Sequence, residues 1–114
     1  MAKDDYPVIV YQILAYLYQC LKKGIDIDKN YLVAQGELFS INSSYWSFIM
    51  CNLVKEGLVE GLTLTNVWGE KYPLVENIES ISITPKGIQY LTDNNFIQKV
   101  KELLKDTKSI IPFV

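Results

Sequence analysis

One short stretch of this 114-residue chain constrains its fold more than any other: residues 81–91 have the pattern of a strand that turns directly into a helix. Ile81 and Ile83 alternate with polar residues, as strand residues do. Thr84 can cap the helix that follows, and Pro85 suits the first helical position, where its missing N–H is not needed. The stretch therefore predicts a strand joined to a helix without an intervening loop.

Two helices and a connector are predicted upstream of this junction. Apolar residues at helical spacing predict a first helix over about residues 6–23, which Gly24 ends. A short helix near residues 28–35 follows, and Asp28 can cap it. The next helix is predicted over about 43–56. Its apolar face is expected to lie in the core and consists of Trp46, Ile49, Met50, Leu53 and Val54.

The first predicted helix is apolar on nearly every side. Only Gln12, Gln19 and Lys23 form a narrow polar line along it. A helix with this pattern is buried nearly all round. Either the rest of a monomer covers it, or a second subunit of a homodimer covers part of it, and the sequence leaves both possibilities open.

The remaining elements complete an α+β, mostly helical fold. Residues 58–83 predict a two- or three-stranded wing, with a first strand over 58–65, a loop over 66–79 and a returning strand over 81–83. Two C-terminal helices are predicted, over about 85–93 and 95–108. We therefore expect a single domain over residues 1–114, a winged helix-turn-helix with an additional C-terminal helix.

Three segments of the chain also occur together in a known family. They are Tyr45-Trp46-Ser47-Phe48-Ile49, Ile83-Thr84-Pro85-Lys86-Gly87 with Tyr90-Leu91, and the terminal Ile110-Ile111-Pro112-Phe113. In these segments the chain resembles the small YjcQ-type winged-helix proteins of Gram-positive bacteria and their prophages. The resemblance spans most of the chain and implies the fold and a phage or mobile-element origin. It supplies no catalytic residues.

Two residue types are missing from the chain. There is no histidine, which removes the commonest general base and metal ligand. There is also no arginine, the side chain that contacts guanine bidentately, so all eleven basic residues are lysine. Cys20 and Cys51 are far apart and show no ligand spacing. We therefore expect no enzyme activity, no metal, no cofactor, and two buried free thiols in a cytoplasmic protein.

The predicted helix over residues 43–56 and the wing carry the candidate contact residues. In a winged helix, the corresponding helix enters the major groove and the wing contacts the DNA backbone or minor groove. The outward face of the helix is expected to hold Ser44, Ser47, Phe48, Cys51, Asn52 and Lys55, with Tyr45 beside them. The wing adds Trp68, Lys71 and Tyr72. Trp68 and Tyr72 can stack on bases, hold a protein partner, or anchor the long loop to the body.

The placement of charge argues against ordinary DNA recognition. Residues 36–83 carry six acids against Lys55 and Lys71, a net charge of −4 on the segment that should face phosphates. Because neutralisation of DNA phosphates supplies most non-specific affinity, we expect this acidic segment to repel the DNA backbone. Four C-terminal lysines form either a solvated helix face or a basic patch that binds nucleic acid: Lys99, Lys101, Lys105 and Lys108.

From these features we expect a DNA-binding or transcription-regulatory winged-helix protein of phage or mobile-element origin. The alternative is a winged-helix protein–protein interaction module that does not bind DNA. The whole chain has a net charge of −2, and no run reaches the ~18 apolar residues of a membrane span. The polar N-terminal residues lack signal-peptide character, so we expect no membrane association and a cytoplasmic location.

Overall fold

The computed structural model describes residues 2–93 together with Gln98, Val100 and Glu102. Within this part of the chain the fold is α+β, with three α-helices and two antiparallel sheets of two strands each. This composition is compatible with a winged-helix-like fold. The elements in chain order are α1 (Tyr6–Lys23), α2 (Ser43–Lys55), β1 (Val59–Glu60), β2 (Thr63–Thr65), β3 (Leu74–Glu76), β4 (Ser82–Ile83) and α3 (Pro85–Asp93).

Helix α1 forms the centre of the core. Every residue from Val8 to Leu17 is buried, and the helix contacts α2, β4 and α3 of its own chain. Gly24 ends it in the left-handed conformation, at φ 67°. The predicted polar line is wrong at Gln12, which is only 3% exposed. Its Nε2 donates a hydrogen bond to the carbonyl oxygen of Leu38 at 3.0 Å, and this contact compensates part of the cost of burying the amide.

The connector between α1 and α2 contains a shorter helical segment than predicted. The expected helix over 28–35 is a single 3-10 turn, Lys29–Tyr31, capped by the Asp28 side chain. The backbone N–H of Glu37 donates to the carbonyl oxygen of Asn30, so the chain folds back on the turn. A Cβ at Gly36 would collide with that same carbonyl oxygen. This close return is incompatible with a helix that continues to residue 35.

The predicted wing is split into two ladders. Strand β1 pairs with β4, with Val59 opposite Ile83, while β2 pairs with β3, with Leu64 opposite Val75. The predicted strand over 58–65 is therefore interrupted, and the predicted loop over 66–79 contains β3. The interruption falls at Gly61, where φ is +92° and a Cβ would collide with the carbonyl oxygen of Ser80. Only glycine allows this approach without strain.

The strand-to-helix junction forms as predicted and connects three elements. The Thr84 hydroxyl accepts a hydrogen bond from the Gly87 N–H at 3.1 Å, which is an N-cap, and donates one to the carbonyl oxygen of Gly57. A Cβ at Gly87 would collide with the carbonyl oxygen of Leu58. The Thr84-to-Gly87 turn thus seats α3 against the end of α2 and the start of β1.

The predicted last helix, over 95–108, lies outside the described residues except at three positions. Gln98, Val100 and Glu102 have helical backbone, and Val100 is fully buried.

Candidate functional site

Helix α2 presents one outward face, and its start is defined by a cap. The Asn42 side chain accepts a hydrogen bond from the Tyr45 N–H at 2.8 Å. Along the predicted face Ser44, Phe48 and Lys55 are exposed, whereas Tyr45, Ser47 and Asn52 are partly buried. Cys51 is 3% exposed and belongs to the core, so its placement on the outward face is wrong, whereas the prediction that Cys20 and Cys51 are buried free thiols is confirmed. Burial also raises the pKa of the Cys51 thiol, so the neutral form is favoured.

Trp46 attaches α2 to the connector. Its indole Nε1 donates a hydrogen bond to the carbonyl oxygen of Leu32 at 2.7 Å. The side chain is half-buried, which corrects the expectation of full burial. An indole needs a partner for its N–H, and here it reaches one at the edge of the core. This hydrogen bond therefore attaches the start of α2 to the connector at Leu32.

The N-terminal residues add negative charge beside α2. The Tyr45 hydroxyl donates to the backbone carbonyl oxygen of Asp4 at 2.7 Å. The pKa of Tyr45 is raised by burial first, and then by the nearby carboxylates of Asp4 and Asp5. A polyanion approaching this end of α2 would meet that charge.

In the loop over residues 66–73, the ring of Tyr72 packs on the centre of α2. The ring of Phe48 lies 6.0 Å from the ring of Tyr72, edge to face, and 6.0 Å from the ring of Tyr6 in α1. The ammonium of Lys71 lies 5.5 Å from the centre of the Tyr72 ring. For Tyr72, the anchoring role considered from the sequence agrees with this packing.

These contacts create a concave surface, which we call the α2–loop hollow. Its volume is about 440 Å³, and it is lined by Ser44, Tyr45, Phe48, Lys71 and Tyr72. The fold thus brings together five of the nine residues predicted as contacts on α2 and the wing. The two elements that contribute to it, α2 and the loop over residues 66–73, are separated by ten residues in the chain.

The other four predicted residues lie elsewhere. Ser47 faces the opposite side of Tyr72, and Lys55 is exposed at the C-terminal end of α2. The Asn52 amide donates to the carbonyl oxygen of Phe48 at 2.7 Å, so one of its donors is used within the helix. Trp68 is 84% exposed and therefore does not anchor the loop.

A second groove, which we call the β3 groove, lies on the other side of Tyr72. Its volume is about 540 Å³. It is lined by Val33, Ala34, Ser43, Trp46, Ser47, Val67, Glu70, Tyr72, Pro73, Leu74 and Val75. Apart from Ser47 and Tyr72, the sequence did not indicate these residues as contacts. Strand β3 has only three residues, two apolar and one polar, from Leu74 to Glu76. They do not form the apolar–polar alternation that would predict a strand.

A smaller pocket of about 280 Å³ lies at the C-terminal end of α1 and was not predicted. The rings of Tyr16 and Tyr31 stack there with centroids 5.0 Å apart. The Tyr16 hydroxyl accepts a hydrogen bond from the Asp28 N–H at 2.8 Å, and burial raises the pKa of Tyr16 to about 12. Gln19, Lys23 and Asp26 add polar groups to its wall.

Three further expectations concerned a basic patch, metal binding and a membrane span. The predicted basic patch, made of Lys99, Lys101, Lys105 and Lys108, lies outside the described residues. In the part of the chain that the structure describes, no group of three or more acidic, cysteine or histidine side chains is placed to hold a metal ion. Within that same part, no helix is both long enough and apolar enough to cross a membrane.

Comparison with known proteins gives a match to one protein family. Neither the curated proteins nor the solved structures include a significant match to this chain. A family model described as YjcQ protein matches residues 11–110, which contain α2, both ladders and the strand-to-helix junction. With nearly the whole chain matched, this protein belongs to the YjcQ family.

Proposed function

We propose that this protein is a winged-helix DNA-binding protein of the transcription-regulatory kind, of phage or mobile-element origin. In this proposal α2 is the recognition helix and the β2–β3 hairpin is the wing. The observation that carries the proposal is the α2–loop hollow, because it combines the outward face of one helix with the loop of the adjacent hairpin. A winged helix uses the same two elements on duplex DNA.

The chemistry of the surface favours weak binding. Ser43 and Ser44 are exposed at the N-terminal end of α2, where hydroxyl and backbone N–H groups can contact phosphate. Phe48 can contact the methyl group of thymine. Lys55 and Lys71 supply positive charge. Asp4 and Asp5 lie near Tyr45, at the N-terminal end of α2, and supply negative charge there. Arginine is absent from the chain, so bidentate recognition of guanine by that side chain is unavailable.

Fluorescence anisotropy with a labelled duplex of mixed sequence, measured over a salt series, tests the proposal. Replacing both Lys55 and Lys71 by Gln should weaken binding and reduce the salt slope by about 2. Replacing both Lys22 and Lys23 by Gln is the matched control, because it also removes two exposed charges. Lys22 lies 16 residues beyond Tyr6, the α1 residue that contacts Phe48, which is roughly 24 Å along the helix. Equal losses in both variants, or no binding at low salt, would reject the proposed surface.

A protein–protein interaction module is the second candidate, and a specific observation favours it. Phe48 is 38% exposed between two tyrosine rings, and Val67, Trp68 and Leu74 are exposed nearby. Grouped exposed apolar side chains mark protein–protein or membrane interaction sites and ligand-binding grooves. If DNA is not the ligand, Phe48→Asp should abolish binding of a protein partner while the fold stays intact. Loss of the ring contacts with Tyr6 and Tyr72 should lower the melting temperature by several degrees, and the binding assay is run below it.

A further inference from the structure

The β3 groove runs along the edge of a strand. Successive side chains of a strand point to opposite faces, so a groove over one face would touch alternate residues. Two consecutive residues of β3, Leu74 and Val75, line this groove, and no residue of β2 does. It therefore lies beside the backbone of β3.

The backbone of β3 has hydrogen-bonding capacity to spare at that edge. Among the described residues, β3 pairs only with β2, in the register Thr63 to Glu76 and Thr65 to Leu74. In an antiparallel ladder, alternate residues turn their N–H and C=O groups toward the partner strand. Either Val75, or Leu74 and Glu76 together, consequently present these groups to the open side. No further backbone partner for them is found within the described part of the chain.

The opposite wall of the groove is a helix. Ser43, Trp46 and Ser47 share one face of α2, at the spacing of neighbouring turns, and Val33 and Ala34 complete the wall. The hydrogen bond from Trp46 to Leu32 fixes this wall. A groove between a free strand edge and a helix has the geometry that binds an extended peptide by strand addition.

We propose that the β3 groove binds an extended segment of a protein partner, which adds a strand to β3. Its alternate side chains are apolar and face α2, and a lysine or arginine faces Glu70. This deepens the protein-interaction candidate, uses the side of Tyr72 opposite the α2–loop hollow, and does not depend on DNA binding. To pair along the whole of β3, which has three residues, the added strand must extend over about 10 Å at ~3.3 Å per residue.

Charge complementarity selects this occupant over a second copy of the chain. Glu70 is the one charged residue among the described lining residues, and Glu76 follows at the end of β3. Residues 36–83 carry a net charge of −4, so pairing β3 with β3 of a second copy would bring two acidic segments together. A basic segment of another protein lowers that repulsion.

The test is selection from a displayed library of random hexapeptides, with the 114-residue chain as the target. We expect enrichment of peptides with alternating apolar residues and at least one lysine or arginine. Synthetic copies of the selected peptides should lose binding when alternate backbone amides are N-methylated, because strand addition needs the N–H groups. Glu70→Lys should reverse the preference toward acidic peptides.

Two serines on α2 provide matched variants. Ser47→Phe fills the β3 groove, whereas Ser44→Phe fills the α2–loop hollow. Peptide binding should weaken at least about tenfold in Ser47→Phe and stay within about twofold in Ser44→Phe, and duplex binding should show the opposite pattern. Melting temperatures show whether each variant folds. If Ser47→Phe prevents folding, the smaller Ser47→Val takes its place.

Four results would overturn the proposal. They are no enrichment at all, enriched peptides that are unaffected by filling the groove, binding that survives N-methylation, and dimerisation in sedimentation that Ser47→Phe abolishes. The last result would identify a second copy of the chain as the occupant. Loss of duplex binding in Ser44→Phe alone leaves this proposal intact, so its failure and that of the DNA proposal are separable.

Discussion

The ring of Tyr72 meets the ring of Phe48 edge to face, with centroids 6.0 Å apart and planes at 71°. This contact joins the middle of the outward face of α2 to the loop of the β2–β3 hairpin. Any ligand of α2 at this point also meets the loop. The contact further separates the α2–loop hollow from the β3 groove, since Tyr72 lines both.

A double-mutant cycle should measure this contact directly. We expect Phe48→Leu and Tyr72→Leu to be coupled by about 0.5–1.5 kcal/mol in the free energy of unfolding, the usual range for an aromatic pair. Urea unfolding of the two single variants and the double variant provides the values. Additive losses would mean that the two rings do not stabilise each other.

Gly87→Ala should destabilise the fold, although alanine is the better helix former. A Cβ at this position would collide with the carbonyl oxygen of Leu58, so backbone must move. We expect a loss of about 1–3 kcal/mol in the free energy of unfolding, as in overpacked sites. Gln89→Ala, at an exposed position of the same helix, is the control and should change stability by less than about 0.5 kcal/mol. A stabilising Gly87→Ala would show that α3 does not pack this closely.

Two substitutions of Trp46 should separate its hydrogen bond from its packing. Trp46→Phe keeps most of the ring but leaves the carbonyl oxygen of Leu32 without its donor, which should cost about 1 kcal/mol. Trp46→Ala should cost about 3 kcal/mol, the low end for aromatic truncation, because the side chain is half-buried. Equal losses in urea unfolding would indicate that the ring contributes nothing beyond the hydrogen bond.

Stability should fall at alkaline pH. Burial is the largest cause of a raised pKa in five tyrosines, among them Tyr11 and Tyr16, and the pKa of Tyr16 reaches about 12. The folded state then holds protons that the unfolded chain releases near pH 10, so this stabilisation is complete below about pH 10 and is lost as pH rises toward 12. Urea midpoints should drop between about pH 10 and 12, and less so in Tyr16→Phe. A midpoint that is constant to about pH 11 would contradict the burial of these rings.

The C-terminal lysines should dominate any electrostatic attraction to DNA. Replacing Lys99, Lys101, Lys105 and Lys108 by Gln removes four charges, whereas Lys71→Gln removes one from an acidic segment. The four-lysine variant should therefore weaken duplex binding more and flatten the salt slope by about 4. Tight, sequence-specific binding that survives this change but is lost with Lys55→Gln or Asn52→Ala would show that α2 binds DNA without help from the C-terminal lysines.

Local signals in the sequence predicted local structure well. Gly24 ends α1, and Thr84 with Pro85 begins α3, because caps and fixed dihedral angles act within a few residues. The connector and the split wing were not predictable in this way. They depend on backbone approaches between distant residues, such as Gly61 against Ser80, and no local pattern encodes these.

The candidate site likewise has a part that local sequence predicted and a part that depends on contacts between distant residues. Helical spacing identified Ser44, Tyr45 and Phe48 as one exposed surface, but it placed Cys51 there too, because a narrow exposed face is difficult to locate on a largely apolar helix. The β3 groove follows from the pairing of β2 with β3, which positions Val67 and Leu74. Tertiary pairing of three-residue strands leaves almost no trace in a single sequence.

Backbone amide chemical shifts of the 114-residue chain, followed by NMR while a mixed-sequence duplex is added at low salt, test the central claim most directly. If α2 and the hairpin loop form one DNA-contacting surface, the largest shift changes fall on Ser44, Tyr45, Phe48, Lys71 and Tyr72, and they disappear as salt is raised. Shift changes confined to the pocket around Tyr16 and Tyr31, or no changes at any duplex concentration, would contradict it.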